Sequence, residues 1–176
     1  ILYSEDPVLF IENKLLYLLP VYEPGPQDEL EIACQGEPSA PAYTLKVRGS
    51  PAPAVTLAAY GYMAELARQA LLRLAYEYEI FAELVVLTGL APFELAPLLD
   101  STHRTGRLLV LEEGSLSAGW GAEIGARCVE ALGPRLRRLK RLAAADLPVP
   151  ASGPLEQAVL PDLERILRTA QSLTSE

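Results

Sequence analysis

The sequence predicts a three-layer α/β/α domain, in which helices cover both faces of a mostly parallel sheet. Strand-like and helix-like segments alternate from Tyr43 onward, an order typical of βαβ units. The strand-like segments are nearly continuous apolar runs, as expected of strands buried on both faces. With 176 residues and 50% hydrophobic content, the chain has enough apolar surface for a full core.

The individual elements follow from apolar periodicity and turn residues. Apolar residues recur at helical spacing from Met63 to Tyr78, and Pro161 suits the first turn of a final helix. The predicted strands cover residues 43–49, 54–61, 81–92, 106–114 and, more weakly, 136–144. The predicted helices cover residues 63–78, 92–102, 121–132 and 161–173.

The beginning of the chain predicts a different organisation. "PVLFIE", residues 7–12, has the composition of a buried strand but follows no strand with which it could pair. Residues 22–42 are rich in proline, glycine and acidic side chains, which predicts a linker between two bodies. We therefore divide the chain into residues 1–21, the linker 22–42 and a compact domain 43–176. Because the chain begins without methionine, we expect a fragment of a longer protein.

Composition argues against several classes of function. The net charge of −8 disfavours general binding to nucleic acid or to anionic membranes. Two cysteines and one histidine predict neither a zinc site nor a disulfide framework. No apolar run reaches the roughly 18 residues of a membrane span, and no signal peptide is recognisable. We expect a protein of the reducing cytoplasm.

The stretch "EEGSLSAGWGAEIG", residues 112–125, is the strongest candidate for a ligand site. Glycines ahead of a helix N-terminus can let backbone amides approach an anion. The spacing differs from a dinucleotide fingerprint, because residues 114–118 separate the strand from the first glycine of the motif. Glu123 complements the helix dipole and would repel a phosphate. We favour a packing or subunit-contact role for Gly119 and Gly121 over a nucleotide site.

The helix after this loop is predicted to be amphipathic. Glu123 and Arg127 have the spacing of a helical ion pair. Cys128 falls on the apolar face, so we expect it in the core. The predicted apolar face consists of Ile124, Cys128, Ala131 and Leu132.

Other candidates for chemistry are weaker. His103, in the polar stretch "STHRTG", has no cysteine or carboxylate pair at catalytic spacing, so we expect an exposed loop histidine. Glu112 and Glu113 end a strand at the sheet edge where α/β proteins bind ligands, which makes a general acid or base conceivable. Neighbouring strand residues point to opposite faces, so the two carboxylates cannot act as a pair.

"RLRRLKR", residues 135–141, is the one basic cluster in this acidic chain. A charged, solvated strand edge that resists aggregation is the favoured interpretation. A docking patch for an acidic partner is the alternative.

Several motifs together resemble one family. "DPVLFIENKLLY" resembles the end of the pyrimidine-binding domain in the β subunit of thiamine-diphosphate-dependent 2-oxo acid dehydrogenases, the E1 component of the pyruvate and branched-chain complexes. "VTLAAYG", "TGRLLVLEEG", "GWGAEIGAR" and "DLPVPASGPLEQAVLPDLERI" resemble that subunit's C-terminal domain, which transketolases share, in the same order. Residues 1–21 would then be the tail end of the pyrimidine-binding domain, and residues 43–176 the transketolase C-terminal-like domain.

The resemblance implies a five-stranded mixed sheet and a role in assembly. In the family, thiamine diphosphate and Mg bind between the pyrimidine-binding domain and the E1 α chain, so no catalytic, cofactor-binding or metal-binding residue carries over to this segment. The implied partners are an E1 α chain, a second β chain and the peripheral-subunit-binding domain of the acyltransferase core. The basic cluster departs from relatives that have an acid before the last strand.

The resemblance gives the glycine loop an expected role at a subunit interface. The interface candidates are Gly119, Trp120, Gly121 and Glu123, and we expect a dimer. The parent enzyme would carry out oxidative decarboxylation of a 2-oxo acid, with the fragment inactive alone. The alternatives are a transketolase-type enzyme, a free-standing binding or regulatory module with the same fold, and a nucleotide-binding domain that uses "GWGAEIG".

Overall fold

Six strands form one mixed sheet in the computed structural model, which describes residues 7–20, 25 and 28–175. The strand order is β1-β2-β4-β3-β5-β6. The pairs β1–β2 and β2–β4 are antiparallel, and β4–β3, β3–β5 and β5–β6 are parallel. The strands are β1 (Leu30–Gln35), β2 (Ala42–Val47), β3 (Val55–Ala59), β4 (Ala82–Leu87), β5 (Arg107–Ser115) and β6 (Arg138–Ala144).

Helices cover both faces of this sheet, which confirms the predicted three-layer class. The helices are α1 (Tyr62–Tyr78), α2 (Ala96–Thr105), α3 (Trp120–Leu132), α4 (Gly153–Val159) and α5 (Leu163–Ser175). α1 and α5 bury apolar residues in one cluster, while α2 and α3 bury theirs in another. Consecutive residues of β3 show the division, because Leu57 belongs to the first cluster and Ala58 to the second. No helix among the described residues has the length and apolar character needed to cross a membrane.

The predicted linker contains a strand, so the prediction of five strands was wrong by one. β1 lies within residues 22–42 and pairs with β2 along its whole length, from Leu30 opposite Val47 to Gln35 opposite Ala42. Leu30 is 2% exposed. β1 is an edge strand that is stabilised by its pairing with β2. Its neighbours in the sequence are rich in proline, glycine and acidic residues, so the strand could not be recognised from the sequence. Among the described residues, the sheet therefore begins at Leu30.

The predicted strand at residues 7–12 is absent. These residues have no regular secondary structure, and Lys14–Leu18 form a short 3-10 helix. An apolar segment forms a strand only where another strand can satisfy its backbone groups, and none lies beside it among the described residues. Residues 1–6 and 21 of the predicted tail, residues 22–24, 26 and 27 of the predicted linker, and residue 176 lie outside the described residues.

Smaller differences concern the ends of elements. β4 stops at Leu87, and the next helix begins at Ala96 rather than at residue 92, with a proline in its first turn. His103 therefore lies in the last turn of α2 and not in a loop, although its side chain is exposed as expected. α4, a single short helix with proline near its start, was not predicted.

Candidate functional site

Glu112 connects the end of β5 to the start of α3. Its side chain is 1% exposed, and its Oε1 accepts a hydrogen bond of 3.0 Å from the backbone N–H of Gly121. Gly119, the residue before α3, offers no capping side chain, so the carboxylate of Glu112 takes the place of an N-cap. Its other oxygen, Oε2, is buried without a hydrogen-bond partner among the described residues.

The two glycines make room for this carboxylate. A Cβ atom on Gly121 would lie 2.6 Å from Glu112 Oε1 and 3.0 Å from a methyl carbon of Val110. A Cβ on Gly119 would lie 2.7 Å from Glu112 Oε2 and closer still to the carbonyl oxygen of Ser115. Because these distances are too short for any larger residue, both glycines are explained by packing within the chain.

The electrostatics of Glu112 reflect a balance between burial and local donors. Burial raises the pKa of this carboxyl group, while the N–H of Gly121, the positive charge of Arg141 and the N–H of Trp120 lower it, with a net upward direction. The N-terminus of α3 thus already holds an anion that belongs to the protein. A nucleotide phosphate would have to displace Glu112, so the geometry favours packing over the nucleotide-binding alternative.

Glu113 points away from Glu112, as strand geometry predicts. Its Oε2 accepts a hydrogen bond of 2.9 Å from Asn13 Nδ2, which ties the N-terminal segment to the domain. Burial raises the pKa of Glu113, Asn13 lowers it and the charge of Glu156 raises it. Tyr60 lies near both carboxylates, and the pKa of its phenol is raised by burial and then by their two charges. The adjacent glutamates have separate surroundings, so they do not form a catalytic pair.

Trp120 forms the centre of a small aromatic cluster. Its ring meets Tyr60 edge-on, with centroids 4.9 Å apart and planes at 71°. Phe93 lies at 6.4 Å and 69° from the same ring. The Trp120 ring is half-buried, and its Nε1–H is buried without a partner among the described residues. A buried indole N–H normally finds an acceptor, so this edge of the cluster has an unused donor.

The predicted ion pair on α3 is confirmed. Arg127 Nε donates to Glu123 Oε1 at 2.6 Å, and the guanidinium carbon lies 4.8 Å from the centre of the Phe93 ring. Glu123 and Arg127 are exposed beside the half-buried Trp120. The four predicted interface residues, Gly119, Trp120, Gly121 and Glu123, thus lie together at the start of α3. They form one continuous corner of the domain.

The apolar face of α3 was predicted only in part. Ile124 and Cys128 are buried, but Ala131 is exposed and Leu132 is half-buried at the C-terminal end of the helix. Burial raises the pKa of the Cys128 thiol to about 11, as expected of a core cysteine without reactivity.

The basic cluster, residues 135–141, leads into β6 and covers its first four residues, at the outer edge of the sheet. β6 pairs with β5 only, among the described residues, and stands at the end of the strand order. Arg137 donates to the carbonyl of Thr105, Lys140 to the hydroxyl of Ser172, and Arg141 to the carbonyl of Leu116. The predicted strand edge is therefore present, and these three side chains donate to neutral acceptors.

Sequence reasoning missed the role of Glu112 and the residues that support the loop. Ser117 donates to Asp146 through its backbone N–H at 2.9 Å and through its hydroxyl at 2.7 Å, which fixes the loop against the segment after β6. A useful signal was the missing cap residue at Gly119, since a helix start without a side-chain acceptor needs one from elsewhere.

The chain is similar in sequence to the β subunits of two kinds of enzyme. The chain is 33% identical over 176 residues to "Pyruvate dehydrogenase E1 component subunit beta-1, mitochondrial" of Arabidopsis thaliana, covering 94% of this chain and 44% of that protein. It is 30% identical over 169 residues to "Acetoin:2,6-dichlorophenolindophenol oxidoreductase subunit beta" of Cupriavidus necator, covering 96% of this chain and 46% of that protein. The chain thus spans less than half the length of these relatives.

A solved structure and a family match agree on the fold. The solved "Split gene transketolase, inactive beta4 tetramer" has a TM-score of 0.61 and 23% identity, over 72% of this chain and 41% of that one, and shows the same fold. The family "Transketolase, C-terminal domain" matches residues 44–166. The predicted similarity to E1 β subunits is confirmed, and the chain belongs to the transketolase C-terminal domain family.

Proposed function

We propose that this chain is the C-terminal part of the β subunit of a 2-oxo acid dehydrogenase E1 component, where it serves assembly rather than catalysis. The observation that carries the proposal is the similarity to a pyruvate dehydrogenase E1 β subunit over 94% of the chain. The parent enzyme would oxidatively decarboxylate a 2-oxo acid, with pyruvate favoured over a branched-chain acid because several of the relatives are pyruvate dehydrogenase subunits.

The N-terminal segment supports the presence of a further body. Leu9 is 85% exposed and Phe10 is 69% exposed, and no described part of the domain covers them. A row of large apolar side chains in water is unfavourable, so it needs a surface to cover it. A pyrimidine-binding domain that contains this segment would provide that surface.

The described residues do not fit thiamine diphosphate or Mg²⁺. Among them, no group of three or more His, Cys, Asp or Glu side chains is placed to hold a metal ion. The glycine loop ahead of α3 is filled by the carboxylate of Glu112, which would repel a diphosphate. We therefore assign the cofactor and its metal to the rest of the parent enzyme and derive no catalytic step for this domain.

The proposed partners are an E1 α chain, a second β chain and the peripheral-subunit-binding domain of an acyltransferase core. The corner of Gly119, Trp120, Gly121 and Glu123 is the proposed contact in a dimer, since it combines a half-buried tryptophan with an exposed ion pair. Trp120 and Glu123 would make the contact, while Gly119 and the buried Gly121 shape the loop that presents them. We propose a cytoplasmic location for the enzyme, like that expected for the bacterial relatives. The mitochondrion is the alternative, because other relatives are named as mitochondrial.

A variant at Trp120 tests the contact. Trp120→Ala removes the largest side chain of this corner, so the dimer should dissociate at a concentration about tenfold higher than in the parent, while the monomer stays folded. Sedimentation velocity over a dilution series and far-UV circular dichroism measure the two properties. Tyr76→Ala, which removes an exposed aromatic residue of α1, is the control. Equal dimer dissociation in both variants would count against the contact.

A second candidate substrate is acetoin. The similarity to the β subunit of an acetoin-oxidising enzyme covers 96% of the chain at 30% identity, close to the values for the pyruvate dehydrogenase relatives. Because this chain spans less than half of either relative, we assign the choice between the two substrates to the rest of the parent enzyme.

A chimera tests the assembly function directly. Residues 7–176 would replace the matching C-terminal part of the Arabidopsis thaliana E1 β-1 subunit, co-expressed with its E1 α chain. We expect an α–β complex with thiamine-dependent pyruvate decarboxylation. The same β subunit truncated before the replaced part is the control and should not assemble. A soluble chimera that fails to bind the α chain would contradict the proposal.

A further inference from the structure

A shallow apolar groove runs along the boundary between α3 and β6. Its lining is apolar except for a charged residue on each element, Glu130 and Arg141. Val129 on its helical wall is 50% exposed. Gly125 lets the helix approach the strand closely, since a Cβ there would lie 3.0 Å from a methyl carbon of Leu139. The lining residues are Ala122, Gly125, Ala126, Val129, Glu130, Leu139 and Arg141.

This groove adjoins the outer edge of β6. Within the described part of the chain β6 pairs with β5 on one side and has no strand on the other. The open side of an edge strand presents backbone donors and acceptors that can pair with an extended segment from another molecule. Leu139 and Arg141 face α3, whereas Lys140 faces α5, where it donates to Ser172. A segment paired with β6 would therefore direct alternate side chains toward the groove.

The positive charge at the edge of β6 indicates that a partner segment is acidic. Residues 135–141 include five basic side chains in a chain whose net charge is −8. Arg137 donates to a carbonyl oxygen and Lys140 to a hydroxyl oxygen, so these bonds do not neutralise their positive charge. Arg141 also donates to a carbonyl oxygen, but its charge already acts on the carboxylates of Glu112 and Asp146. Arg135, just before the strand, is exposed. Carboxylates brought to this edge would find complementary charge.

We propose that the open edge of β6 and the α3–β6 groove bind an extended, acidic segment of a partner protein, with apolar residues at alternate positions. The backbone of the segment pairs with β6, its apolar side chains enter the groove beside Val129 and Leu139, and its carboxylates face the basic cluster 135–141. This inference rests on the proposed assembly function and names the chemistry of one partner.

A peptide of this pattern tests the proposal. The probe is a fluorescein-labelled GEIEVEIE peptide, titrated with the full chain while its fluorescence anisotropy is recorded. We expect saturable binding that weakens at least tenfold between 50 and 500 mM salt, values chosen because ~0.1 M salt already screens charges beyond about 10 Å. A GKIKVKIK peptide should bind at least tenfold more weakly than the acidic probe.

Two variants test separately the contributions of the apolar groove and of the basic cluster to peptide binding. Val129→Asp puts a carboxylate into the groove, and Arg135→Glu reverses one exposed charge of the cluster. Each should weaken binding of the acidic peptide about tenfold with an unchanged Tm. The charge-matched control, Arg168→Glu, changes an exposed residue of α5 on the opposite sheet face and should bind within twofold of the parent.

Several results would overturn the proposal. These are a lack of saturable binding, equal binding of the lysine peptide, or equal binding by parent, Val129→Asp and Arg135→Glu. Self-association of the chain that Val129→Asp abolishes would assign the groove to a second copy and also overturn it. The chimera experiment above has a different readout, α–β assembly, so failure of peptide binding leaves the assembly proposal to be judged separately.

Discussion

Two parts of the chain are rich in apolar residues, yet they differ completely in exposure. In the domain from Leu30 to Ser175, residues such as Leu84 and Leu109 have no exposed surface. In residues 7–20, Leu9 and Phe10 are largely exposed, and Asn13 provides a hydrogen bond to the domain through Glu113. The difference shows that burial depends on a covering surface and not on composition. Under the proposed function, a pyrimidine-binding domain would cover the N-terminal segment.

The largest difference between the two parts should appear when a leucine of each is truncated to alanine. Leu84→Ala should lower the free energy of unfolding by about 2–5 kcal/mol, because it leaves a cavity in a closed core. Leu9→Ala should change it by less than about 0.5 kcal/mol, because Leu9 loses no packing. Urea unfolding measures both values. A comparable loss for Leu9→Ala would mean that residues 7–20 belong to the core.

The glycine loop gives the next largest effect. Gly119→Ala should destabilise the domain by about 1–3 kcal/mol, since the new methyl group collides with Glu112 and with the Ser115 carbonyl. Gly153→Ala is the matched control, because a Cβ at that position meets no atom within 4 Å. Thermal unfolding compares the two. If Gly119→Ala and Gly153→Ala have the same Tm, the loop does not close on Glu112 as described.

The buried carboxylate predicts a smaller, pH-dependent effect. Burial raises the pKa of Glu112 in the folded state, so the folded chain holds this proton more tightly than the unfolded chain. The stability from this group is therefore present at low pH and is lost as the pH rises through the folded-state pKa. Glu112→Gln should remove this loss of stability. The Tm of the variant minus the Tm of the parent should therefore be more positive at pH 8 than at pH 4.

The control for this prediction is a second glutamate of the same region. Glu130→Gln makes the same chemical change at an exposed position of α3, so the Tm differences of Glu112→Gln are measured against it at each pH. If Glu112→Gln lowers the Tm at pH 8 by more than at pH 4, the charge of Glu112 stabilises α3 more than its burial destabilises it, contrary to the account.

The smallest effect concerns the link between the two parts. Asn13→Ala removes the hydrogen bond to Glu113, so it should leave the free energy of unfolding within about 0.5 kcal/mol of the parent. The same change should speed limited chymotrypsin cleavage after Phe10 and Tyr17, which are exposed in this segment. Unchanged cleavage would show that Asn13 does not hold the segment. Asn13→Asp, which places a carboxylate beside Glu113, should speed cleavage at least as much.

Much of the fold could be predicted because the central strands are buried on both faces. β3 and β5 are apolar runs, and α1 has a full helical period of apolar residues, so local pattern and tertiary position agree. β1 could not be found in this way. Its six residues include Glu31 and an exposed Cys34, and its order comes from pairing with β2, which is a property of the folded chain.

The start of α3 was predicted to within one residue, but the contacts made there were not, and the interface role of its residues stays a prediction. The cluster of Gly119, Trp120, Gly121 and Glu123 follows from one helix start, which the sequence places correctly. The partner of the glycines, Glu112, lies on the preceding strand, and only the folded loop brings its carboxylate back to Gly121. Sequence spacing says nothing about such a return, so the sequence left several roles for the glycines open.

The most direct test of the account is the identity of the native polypeptide that carries this sequence. Antibodies against the domain would be used to isolate it from source cells, and mass spectrometry would determine its length and its co-purifying chains. The account predicts a polypeptide roughly twice as long, in keeping with the 44% coverage of its relative, together with an E1 α chain. Recovery of the 19.1 kDa chain alone, with no α chain bound, would contradict it.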